Sequence, residues 1–218
     1  MSDASDIKPL FYVAGGLGLA ALLSAILSNS GPAAKFSISQ LVDPEAVKPI
    51  FNDIEALGGD EVLNAWQYAG GTIKYDYFAS MLHFYDSTVN CQKCVLPMQV
   101  ASKGSSNCVG KSVLLASLLR NIFGPQDVYV AIGQYVRQDV EGHAWVMLRK
   151  NGSWQLIEAT QPPSKNNAWI SANTLSDVYV PLVLFNDQGM ICYNEHLCTV
   201  DISIGGGPCC HCACECEK

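Results

Sequence analysis

A chain of 218 residues, 49% hydrophobic and only 15% charged, holds enough apolar material for one well-buried domain plus an appendage, and it is not a disordered acidic polymer. Its formal charge is −7 and no Lys/Arg cluster occurs anywhere. That excludes a nucleic-acid partner, because neutralising phosphates requires a basic patch.

After a short N-terminal tail over 1–9, the stretch "LFYVAGGLGLAALLSAIL" lies inside a run from Pro9 to Ala34 without one charged residue. Its length predicts a transmembrane helix over 10–29. A cleaved signal peptide is the competing reading. The leading "MSDASDIK" carries two aspartates and one lysine where a signal peptide needs a basic flank, which favours a retained single-pass anchor. Lys8 on one side against Lys35 and Lys48 on the other leaves its orientation open.

Residues 30–42 read as a linker, residues 43–205 as the folded domain and residues 206–218 as a cysteine-rich tail. "DPEAVKPIFNDIEALGG" predicts a helix capped by Asp43 with Pro44 in its first turn. "GDEVLNAWQYAGGTIKYD" predicts a second helix broken at Gly70–Gly71, and "ASMLHFYDSTV" a helix or loop. "VGKSVLLASLLRNIF" has apolar residues at mixed three-and-four spacing, as a helix requires. From Asp127 the texture changes: "DVYVAIGQYV", "GHAWVMLR" and "SWQLIEAT" are strand-like, and Asn151–Gly152 supplies a hairpin turn between the last two. Helices followed by an antiparallel sheet make an α+β domain. No internal repeat is visible.

Cys108 opens the third helix, where the positive end of the macrodipole favours the reactive thiolate. A thiolate is stabilised by a neighbouring base, and His143, at the start of a strand, is suited to that role. A hairpin centred on Asn151–Gly152 pairs residues whose numbers sum to about 303, which puts His143 opposite position 160. Glu158 is then diagonal to the histidine and on the same face, within reach of its second nitrogen. The backbone N–H of Cys108 is one oxyanion donor; Gln99 is the first candidate for a second, with Trp66 and Tyr75 behind it.

In "NCVGKSVLLASLLRNIF", "DVYVAIGQYV" and "GHAWVMLRKNGSWQLIEAT" the chain resembles the transglutaminase-like superfamily of papain-fold thiol enzymes. The resemblance covers a quarter to a third of the chain. It implies a papain-like fold in which Cys108 attacks an amide carbonyl of a protein or peptide substrate, His143 is the base and Glu158 orients it, with no cofactor required. Glu158 departs from the family's usual aspartate by one methylene. Peptidase, amidase and protein-crosslinking acyltransferase are all compatible with such a site. An inactive binding or structural module on a membrane, including a virion component, is the reading of another class.

Two features compete for other chemistry. "GSSNCVGKS" imitates a phosphate loop with Lys111 as its lysine, but five residues instead of four separate Gly104 from Gly110, and no acidic strand for magnesium follows. Ten cysteines are many for this length. Cys91 and Cys94, completed by Cys192 and Cys198 or by His196, fit half-sites of a structural zinc and equally fit disulfides. The tail "CCHCACECEK", with His211 among its cysteines, suits a soft metal.

Overall fold

In a computed structural model, residues 35–77, 82–85, 88–91, 96–136, 140–164, 170–171, 178–192 and 202–204 are described, all within one unit spanning Ala33–Lys218. Its organising element is a six-stranded antiparallel sheet. The strands that build it are β6 (Val128–Val136), β7 (Val140–Lys150), β8 (Ser153–Ile157), β9 (Ile170–Ser171), β10 (Tyr179–Asn186) and β11 (Gly189–Cys192), in the order β11-β10-β6-β7-β8-β9. The remaining strands are β1 (Lys35–Ser37), β2 (Lys74–Tyr75), β3 (Leu82–Tyr85), β4 (Thr88–Cys91), β5 (Ser105–Ser106) and β12 (Ile202–Ile204). Among the described residues four α-helices precede the large sheet: α1 (Lys48–Ala56), α2 (Glu61–Gln67), α3 (Pro97–Lys103) and α4 (Cys108–Leu119).

Strand alternation sorts the sheet into two faces. Val128, Val130, Ile132, Ala144, Val146, Leu148, Ile157, Val183 and Phe185 join the main core with residues of α1, α2 and α4, while Ala131, Trp145, Leu156 and Leu184 form a smaller cluster on the other face. All twelve residues of α4 are buried. That explains why its sequence is apolar nearly all round instead of along one stripe.

The β7–β8 hairpin turns at Asn151–Gly152, both with positive φ (54° and 76°), the geometry that an Asn-Gly pair tolerates and other side chains resist. Its partners sum to 303, from Lys150 opposite Ser153 to Val146 opposite Ile157, as the sequence predicts.

Three expectations are corrected. Residues 35–41, read as linker, form β1 and a 3₁₀ turn, because Ile38 and Leu41 bury in the main core. The first helix begins at Lys48, not at Pro44: Pro49 has no N–H to continue a helix from Glu45, so residues 44–47 form a separate turn in which Asp43 Oδ1 accepts from the Ala46 N–H at 2.9 Å. "LHFY" and "TVNC", left as helix or loop, pair as antiparallel strands, in keeping with their aromatic and β-branched content. "PMQVASK" forms α3, closed by Gly104 in the left-handed conformation (φ 68°). Among the described residues no helix is long and apolar enough to cross a membrane; the proposed anchor over 10–29 lies outside them, as does the 206–218 tail.

Candidate active site

Cys108 is the first residue of α4. Asn107 caps that helix, its side-chain oxygen accepting from the Gly110 N–H at 3.4 Å, while the Lys111 N–H bonds the Asn107 carbonyl at 3.0 Å. A Cβ at Gly110 would lie 2.0 Å from Ser106 Oγ, so a larger residue there requires the serine hydroxyl to turn away. The helix start is thereby pressed against β5, and the sulfur sits at its positive end. Cys108 is 5% exposed and is a free thiol, whereas Cys192 is disulfide-bonded.

His143 Nε2 lies 2.8 Å from Glu158 Oε2, and the ring lies close enough to Cys108 to feel its charge. The diagonal pairing inferred from the hairpin is therefore realised: Ile157 and Val146 face the main core, so Glu158 turns to the side of His143. The longer side chain of glutamate spans the offset left by the end of the β7–β8 ladder. Glu158 is held by three further donations. The Thr160 N–H (2.9 Å) and hydroxyl (2.6 Å) reach Oε1, and the Tyr179 hydroxyl reaches Oε2 (3.1 Å).

Burial disfavours charge on both groups, yet both stay charged. For His143 burial pulls the ring down, but hydrogen bonds to Cys108 and Glu158 and the nearby carboxylate outweigh it and raise the group to about 10. For Glu158 burial pushes upward, and the imidazole together with the two Thr160 donors brings the carboxyl below its ordinary value. Tyr135, Trp145 and Tyr179 pack around the imidazole with ring centroids 5.5, 6.2 and 6.1 Å away. They fix its plane and keep water from competing for it.

Tyr75, third among the upstream candidates, meets Cys108. Strand β2 runs parallel to β5, with Tyr75 opposite Ser106, and the Asp76 N–H bonds the Ser106 carbonyl at 2.9 Å. The Tyr75 side chain is 49% exposed; its partial burial and the nearby Cys108, Tyr77 and Glu158 charges push the phenol's ionisation above the ordinary range. Trp66 is instead a tether, donating to the carbonyls of Glu158 (2.9 Å) and Gln161 (2.7 Å). Gln99 lies in α3, where its N–H bonds the Leu96 carbonyl; no contact between its side chain and Cys108 is found among the described residues.

Lys111, the lysine of the phosphate-loop imitation, turns into the core and donates to the backbone carbonyls of Gly70, Ile73 and Thr160. It offers nothing to a phosphate. Of the zinc candidates, Cys192 is committed to a disulfide, and a disulfide sulfur is no thiolate ligand. Cys94 and Cys198 lie outside the described residues, and so does the side chain of Cys91 on β4. Among the described residues no three His, Cys, Asp or Glu side chains cluster as a metal site.

Thr160, Tyr179 and Tyr75 thus complete what Cys108, His143 and Glu158 begin. The two-residue spacing of Glu158 and Thr160 is a local signal for a carboxylate capping its own turn. Tyr179 has no local signal: it arrives only because β10 pairs with β6, setting Tyr179 opposite Tyr135.

A thiol on a helix tip, beside an imidazole oriented by a buried carboxylate, is a site equipped for nucleophilic sulfur chemistry. No protein-family model and no curated protein matches the chain. Among solved structures, it is similar to a candidate cysteine protease from Cytophaga hutchinsonii (13% identity, 61% of this chain and 43% of that one, TM-score 0.44). It is also similar to Legionella pneumophila LapG (11% identity, 71% and 90% of the two chains, TM-score 0.44) and to the EGTA-treated form of LapG (10%, 72% and 89%, 0.44). The chain spans less than half the length of the Cytophaga protein. The functional reading rests on the site geometry.

Proposed function

We propose that the chain is a transglutaminase-like, papain-fold thiol enzyme that cleaves or transfers the acyl group of an amide in a protein or peptide. One observation carries this reading: the imidazole of His143 lies 2.8 Å from the Glu158 carboxylate and near the Cys108 thiol at the start of its helix. Cys108 Sγ attacks the carbonyl carbon while the oxyanion takes the Cys108 N–H. The His143 imidazolium gives its proton to the amine nitrogen, the C–N bond breaks, and a thioester remains. Water, losing its proton to His143, then attacks the thioester carbonyl; the C–S bond breaks, releasing the carboxylic acid and the thiolate. An amine in place of that water turns hydrolysis into crosslinking. Residues 10–29 anchor the domain to a membrane in this reading, which extraction by carbonate tests: release of the intact chain rules the anchor out.

The decisive experiment is alkylation of Cys108 by iodoacetamide at pH 6. Fast reaction in the wild type that slows in His143→Ala supports the enzyme. Ordinary reactivity in both supports the second reading, an inert membrane-bound module, which the 5% exposure of Cys108 favours.

A further inference from the structure

Lys111 is unused by the chemistry above, and it is 1% exposed. A lysine buried that deeply normally sits against a carboxylate or loses its proton. Here the ammonium is met by three backbone carbonyls, Ile73 at 2.7 Å, Gly70 at 3.1 Å and Thr160 at 3.4 Å. An ammonium is the only side-chain group with three donors on one atom and no acceptor, so each N–H finds one oxygen. A neutral amine would point its lone pair at one of them.

What the three carbonyls belong to matters more than their number. Thr160 is the residue whose N–H and hydroxyl hold Glu158 Oε1. Gly70 and Ile73 lead directly into β2, which pairs with β5 just ahead of Cys108. Lys111 itself is three residues beyond Cys108, about one turn along α4. The same turn, 158–161, is tied from its other side by Trp66, and it abuts Gly70 so closely that a Cβ there would lie 2.2 Å from the Gln161 carbonyl oxygen. Burial lowers the ammonium to about 8, and the Glu158 charge opposes that fall, so the two groups feel one another.

We propose that Lys111 is a positioning residue: its ammonium pins the Glu158–Gln161 turn and the Gly70–Ile73 segment to the helix bearing Cys108, and so sets the reactivity of a sulfur it does not touch. This rests on the thiol-enzyme reading. With the ammonium gone, the turn that presents Glu158 loses one of its tethers, the imidazolium loses support, and the sulfur reacts more slowly at mildly acidic pH.

The test is the rate–pH profile of Cys108 alkylation by iodoacetamide in the full-length wild type, Lys111→Met and Lys111→Arg, each first checked for cooperative thermal unfolding. In Lys111→Met the acid limb moves up by about one pH unit, about tenfold in rate at pH 6, and in Lys111→Arg, which keeps charge and donors, it moves back. A staple that serves stability alone lowers the melting temperature of Lys111→Met and leaves the profile where it was; that result overturns the proposal while the enzyme reading stands. A wild type with ordinary reactivity at pH 6 overturns both. Should Lys111→Met not fold, the ζ-nitrogen NMR signal of Lys111 in the otherwise native protein answers the same question. A signal protected from exchange that moves in Glu158→Gln supports the coupling, and one that stays put refutes it.

Discussion

Glu158 is where the smallest scale decides most. A carboxylate 8% exposed with one partner would be an expensive feature; with four donations from His143, Thr160 and Tyr179 it is a fixed negative point. The histidine it orients is raised to about 10, so the ring is an imidazolium through neutral pH and the sulfur beside it has a permanent counter-charge. His143→Ala is therefore expected to slow alkylation at pH 6 about a hundredfold, because an ordinary thiol is ionised only to a few parts in a thousand there. Glu158→Gln keeps shape and loses charge; about a tenfold decrease is expected, equivalent to one pKa unit. Equal rates in wild type and Glu158→Gln would mean that the carboxylate orients nothing.

The elements show why parts of this site were legible. A hairpin with an Asn-Gly turn has a register that can be counted, so the histidine–glutamate contact follows from the sequence before any coordinates. The helix that begins at Cys108 is legible from its apolar run. Contacts made by strands distant in the chain are not: nothing near Tyr179 announces that β10 will pair with β6, and nothing near Lys111 announces three carbonyls from two other segments. The burial of Ile38 and Leu41 was equally hidden, because a short apolar stretch between polar residues reads as linker until something packs on it.

Two substitutions test the elements themselves. Asn107→Ala removes the cap of α4 and should lower stability by about 1 kcal/mol, a shift of roughly 2–4 °C in melting temperature for a domain of this size. Gly133 lies opposite His143 in the β6–β7 ladder, and a Cβ there would meet the Val180 carbonyl oxygen at 2.0 Å. Gly133→Ala should force β10 away from β6 and destabilise by about 1–3 kcal/mol. Because Tyr179 rides on β10, alkylation of Cys108 should slow as well. An unchanged melting temperature in Gly133→Ala would show that the strands part without strain.

At the level of the whole molecule the same charges become a dependence of folding on pH. His143 has a folded-state value above its ordinary 6.5, so its contribution is fully present below pH 6.5 and disappears as pH climbs through about 10. Glu158 has the opposite sign: held below its ordinary 4.5, it contributes above that pH and its contribution is lost on acidification. Lys111, lowered to about 8 from 10.5, works against the histidine on the alkaline side, since folding becomes easier as the chain sheds that proton. The clean measurement is thus the difference in denaturant-unfolding free energy between wild type and His143→Ala across pH. It should shrink steadily from pH 6.5 towards 10, and a difference independent of pH would contradict the charged imidazole.

The nucleophile belongs to a helix sealed on every side, whereas its imidazole and carboxylate belong to a hairpin that begins 32 residues after Cys108 along the chain. Neither piece has any unusual chemistry alone. Under the proposed function, a newly synthesised chain consequently carries an ordinary thiol until the helix seats, and the capacity to attack amides is acquired at the moment the interior closes. Reactivity at that one sulfur is then a readout of correct assembly, available without knowing any substrate.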